Sequence, residues 1–277
     1  MSTLEVRGLS VQYRRAGRGA RPFPAVDGVD LTVGAQEMLG LVGESGCGKT
    51  TLGRAILSLV PLSDGEVRWD GCRVDHLSPG AFRPLRRELQ CVFQDPHACL
   101  DPRMTIAESV AEPLRALAPG LTAARRLERV YARLGEVGLG AELAARYPHQ
   151  LSGGQLQRAV IARALVVDPR FVVCDEPVSA LDVSVQGQIV SLLERVRVER
   201  RLASLFISHN LAVVARLCER IMVMYRGRIV EAGTRAQVVH GPLHPYTREL
   251  LDAVPAVDAD ARARLARRAS RASPAAD

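Results

Sequence analysis

A single lysine marks the segment that most constrains how this chain can fold. The sequence contains 37 lysine and arginine residues, and all of them except Lys49 are arginine. The ammonium group of lysine is compact enough to bridge two phosphate groups, whereas the planar guanidinium of arginine does not fit the same space. Lys49 belongs to a run that fits the pattern G-x-x-x-x-G-K-[ST], which predicts a phosphate-binding loop. The run is Gly43, Glu44, Ser45, Gly46, Cys47, Gly48, Lys49 and Thr50.

The segments before and after this loop have the order that phosphate binding requires. Residues 38–42 form an apolar run that predicts a buried strand, and residues 51–57 predict a helix with apolar side chains on one side. The N–H groups of the loop and the positive end of the helix dipole would then converge on the phosphates. The hydroxyl of Thr50 would reach Mg²⁺. This context favours a ligand-binding loop over a merely flexible glycine loop.

Composition places the chain among ordinary globular proteins. Its 277 residues are 47% hydrophobic and can bury a substantial core, and no apolar run reaches the roughly 18 residues that a membrane span needs. The N-terminus lacks the apolar core of a signal peptide. Six cysteines without a C-x-x-C pair favour reduced thiols over disulfides or a zinc site, and Cys174 is expected to fill space in the core.

The net charge of +7 has two readings. It is compatible with a nucleic-acid partner or an anionic membrane surface. We favour the simpler explanation of a general bias towards arginine, because the basic tail has no interleaved aromatic residues that could stack on bases. No nucleic-acid partner is therefore expected.

Strands and helices alternate along most of the chain, which indicates an α/β protein. Short apolar runs in residues 2–35 predict a β-rich edge. Apolar runs at 171–174 and 205–208 predict parallel central strands. Further strands are predicted at 67–69 and 91–93.

The stretch from about 95 to 165 changes character. It has leucine, alanine and arginine at helical spacing, so we predict a helical insertion into the α/β core. We assign one domain to residues 1–252. The Ala/Arg-rich tail, 253–277, is expected to be a frayed helix or poorly ordered.

A second glycine motif lies at residues 151–155 and reads Leu-Ser-Gly-Gly-Gln. Ser152 offers a hydroxyl group, Gly153 and Gly154 expose N–H groups, and a helix follows. The motif predicts a second phosphate cradle. Taken alone, a loop in which Ser152 caps the next helix would explain the same residues.

Two carboxylates follow the apolar strand at 171–174. Asp175, at the end of the strand, can hold the ligand shell of Mg²⁺, and Glu176 can polarise an attacking water molecule. Strands often end in acidic residues, so an acidic pair alone is weak evidence. The prediction depends on the position of this pair after the glycine motif.

Together these motifs resemble the ATP-binding cassette of ABC transporters, over roughly residues 3–250. The resemblance implies ATP and Mg²⁺ as ligands. It also implies a P-loop (RecA-like) core with an antiparallel β edge subdomain and a helical insertion subdomain. By the same resemblance, Gln94 would touch Mg²⁺ or water and sense the membrane partner, and His209 would contact the γ-phosphate. Residues 179–182, Ser-Ala-Leu-Asp, look like the D-loop of the family.

The resemblance assigns three groups of site residues. The catalytic residues would be Glu176, His209 and Gln94. The metal ligands would be Thr50, Gln94 and Asp175. The nucleotide-binding residues would be Tyr13, Gly43, Glu44, Ser45, Gly46, Cys47, Gly48, Lys49, Thr50, Thr51, Ser152, Gly153, Gly154, Gln155 and Asp182.

One of these positions has an alternative role, and two further positions depart from the family pattern. Tyr13 is the candidate for stacking on adenine, and the alternative is that it packs on the edge sheet. Asn210 follows His209 where the family usually has aspartate, but either residue can cap the next helix. Leu156 extends the glycine motif where a charged residue is more usual.

Several segments resemble the ATPases of peptide and nickel importers in particular. They are residues 94–96 with 100–105, residues 179–186 and residues 243–251. Residues 155–158, Gln-Leu-Gln-Arg, look like the nickel type, whereas the longer segment that contains His-Pro-Tyr-Thr at 244–247 looks like the peptide type. The last cysteine is Cys218, so the tail lacks the iron–sulfur cluster of some peptide importers.

The resemblance therefore implies the ATP-hydrolysing subunit of an importer for di- or oligopeptides, bound peripherally at the cytoplasmic face of the cell membrane. The implied partners are a second cassette, identical or paralogous, two transmembrane permease subunits and an extracytoplasmic substrate-binding protein that acts through the permease. A nickel importer is the alternative, followed by an exporter ATPase and by a soluble ATPase that acts on DNA or ribosomes. The single cassette and the absence of sustained heptads disfavour the last class.

Overall fold

The computed structural model describes residues 3–13 and 22–253. The tail that the sequence predicts to be frayed or disordered lies outside the described residues, apart from Ala253. The strands are β1 Leu4–Tyr13, β2 Phe23–Val33, β3 Met38–Val42, β4 Asp64–Trp69, β5 Cys72–Arg73, β6 Leu89–Val92, β7 Phe171–Asp175, β8 Ala203–Ser208, β9 Arg220–Tyr225 and β10 Arg228–Thr234.

Twelve α-helices and one 3₁₀ turn are found in the described part of the chain. The helices are α1 Lys49–Ile56, α2 Pro79–Phe82, α3 Leu85–Glu88, α4 Pro96–Cys99, α5 Ile106–Leu117, α6 Ala123–Glu136, α7 Ala141–Ala144, α8 Gly153–Leu165, α9 Val183–Arg200, α10 Leu211–Leu217, α11 Arg235–His240 and α12 Pro245–Asp252. The 3₁₀ turn is Pro148–Gln150.

The central sheet has six strands in the order β10-β9-β3-β8-β7-β6. All neighbours are parallel except β10, which runs antiparallel to β9. Strands β3, β7 and β8 are buried along their whole length, as expected for a sheet with both faces covered. Because parallel strands end at the same edge, the residues that follow β3, β6, β7 and β8 meet there. The sequence-predicted residues Gln94, Asp175, Glu176 and His209 lie at or next to this edge.

A second, antiparallel sheet has the order β2-β1-β4-β5. One hydrophobic cluster joins its inner face to α1 and to the central sheet, and includes Val6, Val67, Leu52, Leu41 and Ile207. Helix α1 therefore packs between the two sheets, which fixes the start of α1 relative to β3.

Helices α4 to α8 form the insertion. A capping box between Thr105 and Glu108 starts α5, and the hydroxyl of Thr122 starts α6 by accepting a hydrogen bond from the N–H of Arg125. Buried residues such as Val110, Leu134 and Val160 continue into the main core cluster. The insertion is thus anchored on the α/β core.

One observed strand has different bounds from those that the sequence predicts. We expected residues 91–93, but β6 ends at Val92 because its last pairing is Val92 with Cys174. Phe93 belongs to no strand or helix and is followed by a bend at Gln94. No helix in the described residues is long and apolar enough to cross a lipid bilayer.

Candidate functional site

The phosphate-binding loop lies between β3 and α1, as the sequence predicts. Gly43 and Gly48 have φ values of 155° and 113°, in the region that favours glycine. A Cβ atom at Gly43 would lie 2.2 Å from the carbonyl oxygen of Met224, and one at Gly48 would lie 2.2 Å from that of Ala25. Both glycines are therefore required by close approach of the backbone as well as by conformation.

Lys49 lies at the first position of α1 and only 4% of it is exposed. Its Nζ donates hydrogen bonds to the carbonyl oxygens of Gly43 at 2.7 Å and Glu44 at 2.8 Å. It also lies 3.8 Å from Oε1 of Glu176. The buried ammonium is thus held by loop carbonyls and one carboxylate, which compensates for its desolvation.

Thr50 and Asp175 form a pair of hard oxygen donors. The Thr50 hydroxyl donates a hydrogen bond of 2.9 Å to Oδ1 of Asp175. Burial raises the pKa of Asp175, the Thr50 hydrogen bond opposes that shift, and the charge of Glu176 adds to it. A divalent cation at this position would offset the unfavourable burial of the carboxylate. The donor set therefore fits Mg²⁺, which takes few protein ligands and completes its shell with water and phosphate oxygens.

Glu176 is the point where the predicted catalytic residues meet. Its Oε2 lies 3.0 Å from Nδ1 of His209 and accepts a hydrogen bond of 3.3 Å from Nε2 of Gln94. Its backbone is left-handed, with φ of 46°, and its N–H donates to the carbonyl of Ile207 at 3.0 Å. A non-glycine residue in this conformation is strained, and such strain clusters at functional sites.

An open cleft of about 670 Å³ surrounds Glu176. Its lining residues come from the loop, from the segments after β6, β7 and β8, and from the last helix: Glu44, Ser45, Gln94, Asp95, Glu176, Ser179, Ala180, His209 and Leu250. The structure thus brings the loop, Gln94, Glu176 and His209 to one place. Tyr13 and the glycine motif at 151–155 do not line this cleft.

The glycine motif forms the start of α8. Ser152 and Gln155 make a capping box, in which the Ser152 hydroxyl accepts from the N–H of Gln155 at 3.4 Å and the Gln155 side chain accepts from the N–H of Ser152 at 3.0 Å. Ser152 and Gly153 are nevertheless exposed. Helix capping is therefore present, and the motif also faces outward, where another molecule can reach it.

Gly154 has a separate packing role. A Cβ atom at Gly154 would lie 2.6 Å from Cγ1 of Val185, so the start of α8 packs closely on the start of α9. Asp182 caps α9 by accepting from the N–H of Val185 at 3.0 Å and from the hydroxyl of Ser184 at 2.7 Å. These hydrogen bonds hold the pKa of Asp182 below its usual range.

The structure also shows the surroundings of Tyr13, Asn210 and Leu156. Tyr13 ends β1 opposite Phe23, and its exposed fraction of 44% leaves its ring open to a ligand. The Asn210 side chain caps α10, accepting from the N–H groups of Ala212 and Val213. Leu156 is buried in the core, which explains why an apolar residue is tolerated there. The roles assigned to these residues stay predictions.

One contact at the site has no counterpart among the predictions made from the sequence. The hydroxyl of Tyr246, in α12, accepts a hydrogen bond of 2.8 Å from the N–H of Glu44 in the loop. The only sequence signal was the His-Pro-Tyr-Thr segment itself, which gives no indication of what the tyrosine contacts.

Comparison with known proteins identifies the family. Residues 26–179 match the model for "ABC transporter", and residues 230–276 match the model for "Oligopeptide/dipeptide transporter, C-terminal region". The chain is 52% identical over 240 residues to the oligopeptide transport ATP-binding protein OppF of Escherichia coli (strain K12), covering 87% of this chain and 72% of that protein.

A second relative is the glutathione import ATP-binding protein GsiA of Salmonella paratyphi A (strain ATCC 9150 / SARB42). It is 51% identical over 261 residues, which cover 92% of this chain but only 41% of GsiA. This chain therefore corresponds to less than half of that relative.

Solved structures agree with the sequence comparison. The dimeric structure of MJ0796, a bacterial ABC transporter cassette, matches with a TM-score of 0.76 and 29% identity, covering 84% of this chain and 98% of that chain. A dimeric post-hydrolysis state of the same cassette, bound to ADP and Pi, matches equally well. The predicted fold class, family and ATPase activity are confirmed. The chain belongs to the ABC transporter family, as an ATPase subunit that carries the C-terminal region of the oligopeptide/dipeptide transporters.

Proposed function

We propose that this chain hydrolyses ATP to drive the import of small peptides, from the cytoplasmic face of a membrane and in complex with permease subunits. The observation that carries the catalytic part is the convergence of Lys49, Gln94 and His209 on the carboxylate of Glu176. A cation, an amide and an imidazole around one carboxylate can position a triphosphate and an attacking water molecule.

The chain's own residues would divide the work as follows. Lys49 leaves the two loop carbonyls and places its ammonium on the phosphates, while the loop N–H groups bind their oxygens. Thr50 and Asp175 would hold Mg²⁺, which neutralises phosphate charge when it is bound. Glu176 accepts the proton of the attacking water, and His209 and Gln94 orient the carboxylate and the water.

A second cassette would complete the site. Ser152 and Gly153 are exposed, and the glycine motif does not line the cleft around Glu176 of its own chain. In a head-to-tail pair, this motif would close over the phosphates held by the partner's loop. The dimeric cassette structures that match this fold support such a pair. Closure and opening of the pair would then move the permease subunits through the Gln94 region.

The proposal of peptides as cargo rests on the C-terminal region and on the relatives. The region from residue 230 onward matches the oligopeptide/dipeptide model, and the named relatives act on oligopeptides and on glutathione, which is itself a tripeptide. Their identities to this chain, 52% and 51%, do not separate the two cargoes. A nickel importer remains the second candidate because of residues 155–158.

The test is reconstitution of the complex that co-purifies with this chain into proteoliposomes, with the matching binding protein. Di- to pentapeptides at micromolar concentration should stimulate ATP hydrolysis severalfold, and glutathione should be tested in parallel. The same complex carrying Glu176→Gln measures the background. Stimulation by Ni²⁺ without a peptide response would replace peptides by nickel. Stimulation by DNA or ribosomes, without coupling to membrane subunits, would remove the transporter proposal.

A further inference from the structure

One peptide unit of the phosphate-binding loop is held from both sides. Its carbonyl, that of Gly43, accepts a hydrogen bond of 2.7 Å from Nζ of Lys49. Its N–H, that of Glu44, donates a hydrogen bond of 2.8 Å to the hydroxyl of Tyr246. Because these two groups belong to the same peptide plane, Tyr246 fixes the orientation of the carbonyl that receives Lys49.

Tyr246 is itself firmly placed. Only 5% of it is exposed, and its ring packs on that of Tyr225 with 4.4 Å between the ring centroids. The segment before it is anchored by Glu231 in β10, whose carboxylate accepts from the N–H groups of Leu243 at 2.9 Å and His244 at 3.0 Å. Glu231 therefore positions the start of α12, and α12 positions the tyrosine.

Helix α12 also reaches the cleft around Glu176. Leu250 lies one turn beyond Tyr246 and lines the cleft together with Glu44 and Glu176. Helix α12 thus contacts the loop through a hydroxyl group and borders the reaction site through an apolar side chain.

We propose that Tyr246 is a positioning residue for nucleotide binding, so that ATP affinity depends on the docking of segment 242–252 against the loop. The inference rests on the proposed role of the loop and Lys49 in binding ATP. Tyr246 does not line the cleft around Glu176, and its effect passes through the Gly43–Glu44 peptide.

The direction of the effect follows from two opposing contributions. Loss of the hydroxyl removes one of the two hydrogen bonds that hold the peptide plane, and the cost of ordering the plane is then added to nucleotide binding. Loss of the hydroxyl also weakens the tether of Lys49 to the Gly43 carbonyl, which favours binding. The weaker tether of Lys49 contributes a free energy of roughly 10–30% of one hydrogen bond. The added ordering cost corresponds to the free energy of a whole hydrogen bond, so it is the larger contribution. Removal of the hydroxyl should therefore weaken nucleotide binding.

The experiment compares Tyr246→Phe with Tyr131→Phe, an identical chemical change on the exposed face of α6. The purified chain is titrated with Mg·ATP, and ATP hydrolysis is measured in the complex. Tyr246→Phe should raise Kd and KM by about three- to tenfold, the range expected for one lost hydrogen bond, and should change kcat by less than about twofold. Tyr131→Phe should change neither.

A double-mutant cycle tests the connection to the anchor. Glu231→Gln loses one of its two backbone hydrogen bonds and should raise Kd in the same direction. The combination with Tyr246→Phe should raise Kd by less than the product of the single effects, because both changes act through the same contact. Multiplicative effects would show that the anchor and the tyrosine act separately, and would overturn the proposed dependence on docking.

Two results separate this inference from the proposed function. If Tyr246→Phe binds and hydrolyses ATP like the wild type while Lys49→Arg abolishes binding in the same assay, Tyr246 has no positioning role but the loop function stands. If Lys49→Arg also binds normally, the assignment of the loop fails. A fall in kcat with unchanged KM would assign Tyr246 to a later step and contradict the inference.

Discussion

Nδ1 of His209 lies 3.0 Å from Oε2 of Glu176, although 33 residues separate them in the sequence. The contact exists because β7 and β8 are parallel neighbours and each residue follows its strand directly. Sheet topology, rather than any local motif, thus builds the acid–imidazole pair.

Replacement of the carboxylate separates binding from chemistry. Glu176→Gln keeps the shape of the side chain but removes the base, so turnover should fall by about a hundredfold or more while Mg·ATP still binds. Size-exclusion chromatography with ATP should then show an accumulated dimer. Glu199→Gln, on the exposed side of α9, is the control and should hydrolyse ATP normally. A monomeric Glu176→Gln with wild-type turnover would contradict the assigned role.

The single lysine should not tolerate its closest charged substitute. Lys49→Arg keeps the positive charge but puts a planar fork into a space that accepts an ammonium. We expect ATP turnover below about one hundredth of the wild-type value, measured by phosphate release. Arg54→Lys, five residues further along α1, is the reverse exchange at an exposed position and should retain activity. Both variants should unfold at temperatures close to that of the wild type.

The Thr50–Asp175 pair predicts a specific dependence on metal. Thr50→Val removes one hard oxygen donor and should weaken nucleotide binding in the presence of Mg²⁺ by about tenfold, the effect of one charged contact. With EDTA in place of Mg²⁺, the wild type and the variant should bind ATP with similar affinity. Equal binding of both proteins with Mg²⁺ would exclude Thr50 as a metal ligand.

Asp175 should make stability depend on pH in an unusual direction. Burial raises the pKa of Asp175, so the folded state binds its proton more tightly than the unfolded state does. Its carboxylate therefore destabilises the nucleotide-free fold progressively as pH rises from the ordinary carboxyl range through the raised pKa of the folded state. Asp175→Asn should raise Tm by a few degrees at pH 7, and the gain should shrink on acidification.

The control for this pH effect is a carboxylate with the opposite shift. The hydrogen bonds to Ser184 and Val185 lower the pKa of Asp182, so its charge stabilises the fold above the ordinary carboxyl range and that contribution is lost as pH falls. Asp182→Asn should not raise Tm at pH 7, because asparagine caps α9 no better than aspartate. Equal gains for both variants would show that Asp175 has no special burial cost.

Gly154 allows packing and nucleotide binding to be separated. Gly154→Ala places a Cβ atom against Cγ1 of Val185 and should cost about 1–3 kcal/mol of stability. Addition of Val185→Ala removes that atom and should restore much of the loss. If Gly154 also lets the glycine motif approach the phosphates held by the loop of the second cassette, ATP turnover will stay low in the double variant even though Tm recovers. Full recovery of turnover would reduce the role of Gly154 to packing.

Local sequence predicted the parts of the site that depend on short segments. The loop from Gly43 to Thr50 was predicted from residue types alone, because glycine, lysine and threonine each have a distinct physical task there. The helical insertion followed from a change in periodicity and a β-rich edge from short apolar runs, whereas the antiparallel arrangement of that edge was implied only by the family resemblance. The meeting of Gln94, Glu176 and His209 was expected only through family resemblance, since no periodic pattern encodes the order of strands in a sheet.

Contacts between distant segments were beyond prediction. The hydrogen bond from Glu44 to Tyr246 spans 202 residues. It depends on how α12 lies against the loop, which is set by Glu231 and by the packing of two tyrosine rings. The end of β6 at Val92 is similar, because pairing with β7, and not the β propensity of Phe93, decides where that strand stops.

The burial of Lys49 has a practical consequence. Apart from the N-terminal amine, this side chain is the only primary amine in the 277 residues, and 4% of it is exposed. Within these 277 residues a lysine-specific protease therefore has one bond to cut, in the first turn of α1. Native protein should resist cleavage there, and acylation of the same amine should be slowed by bound nucleotide. Occupancy of the loop can thus be read from ordinary amine chemistry, without any engineered label.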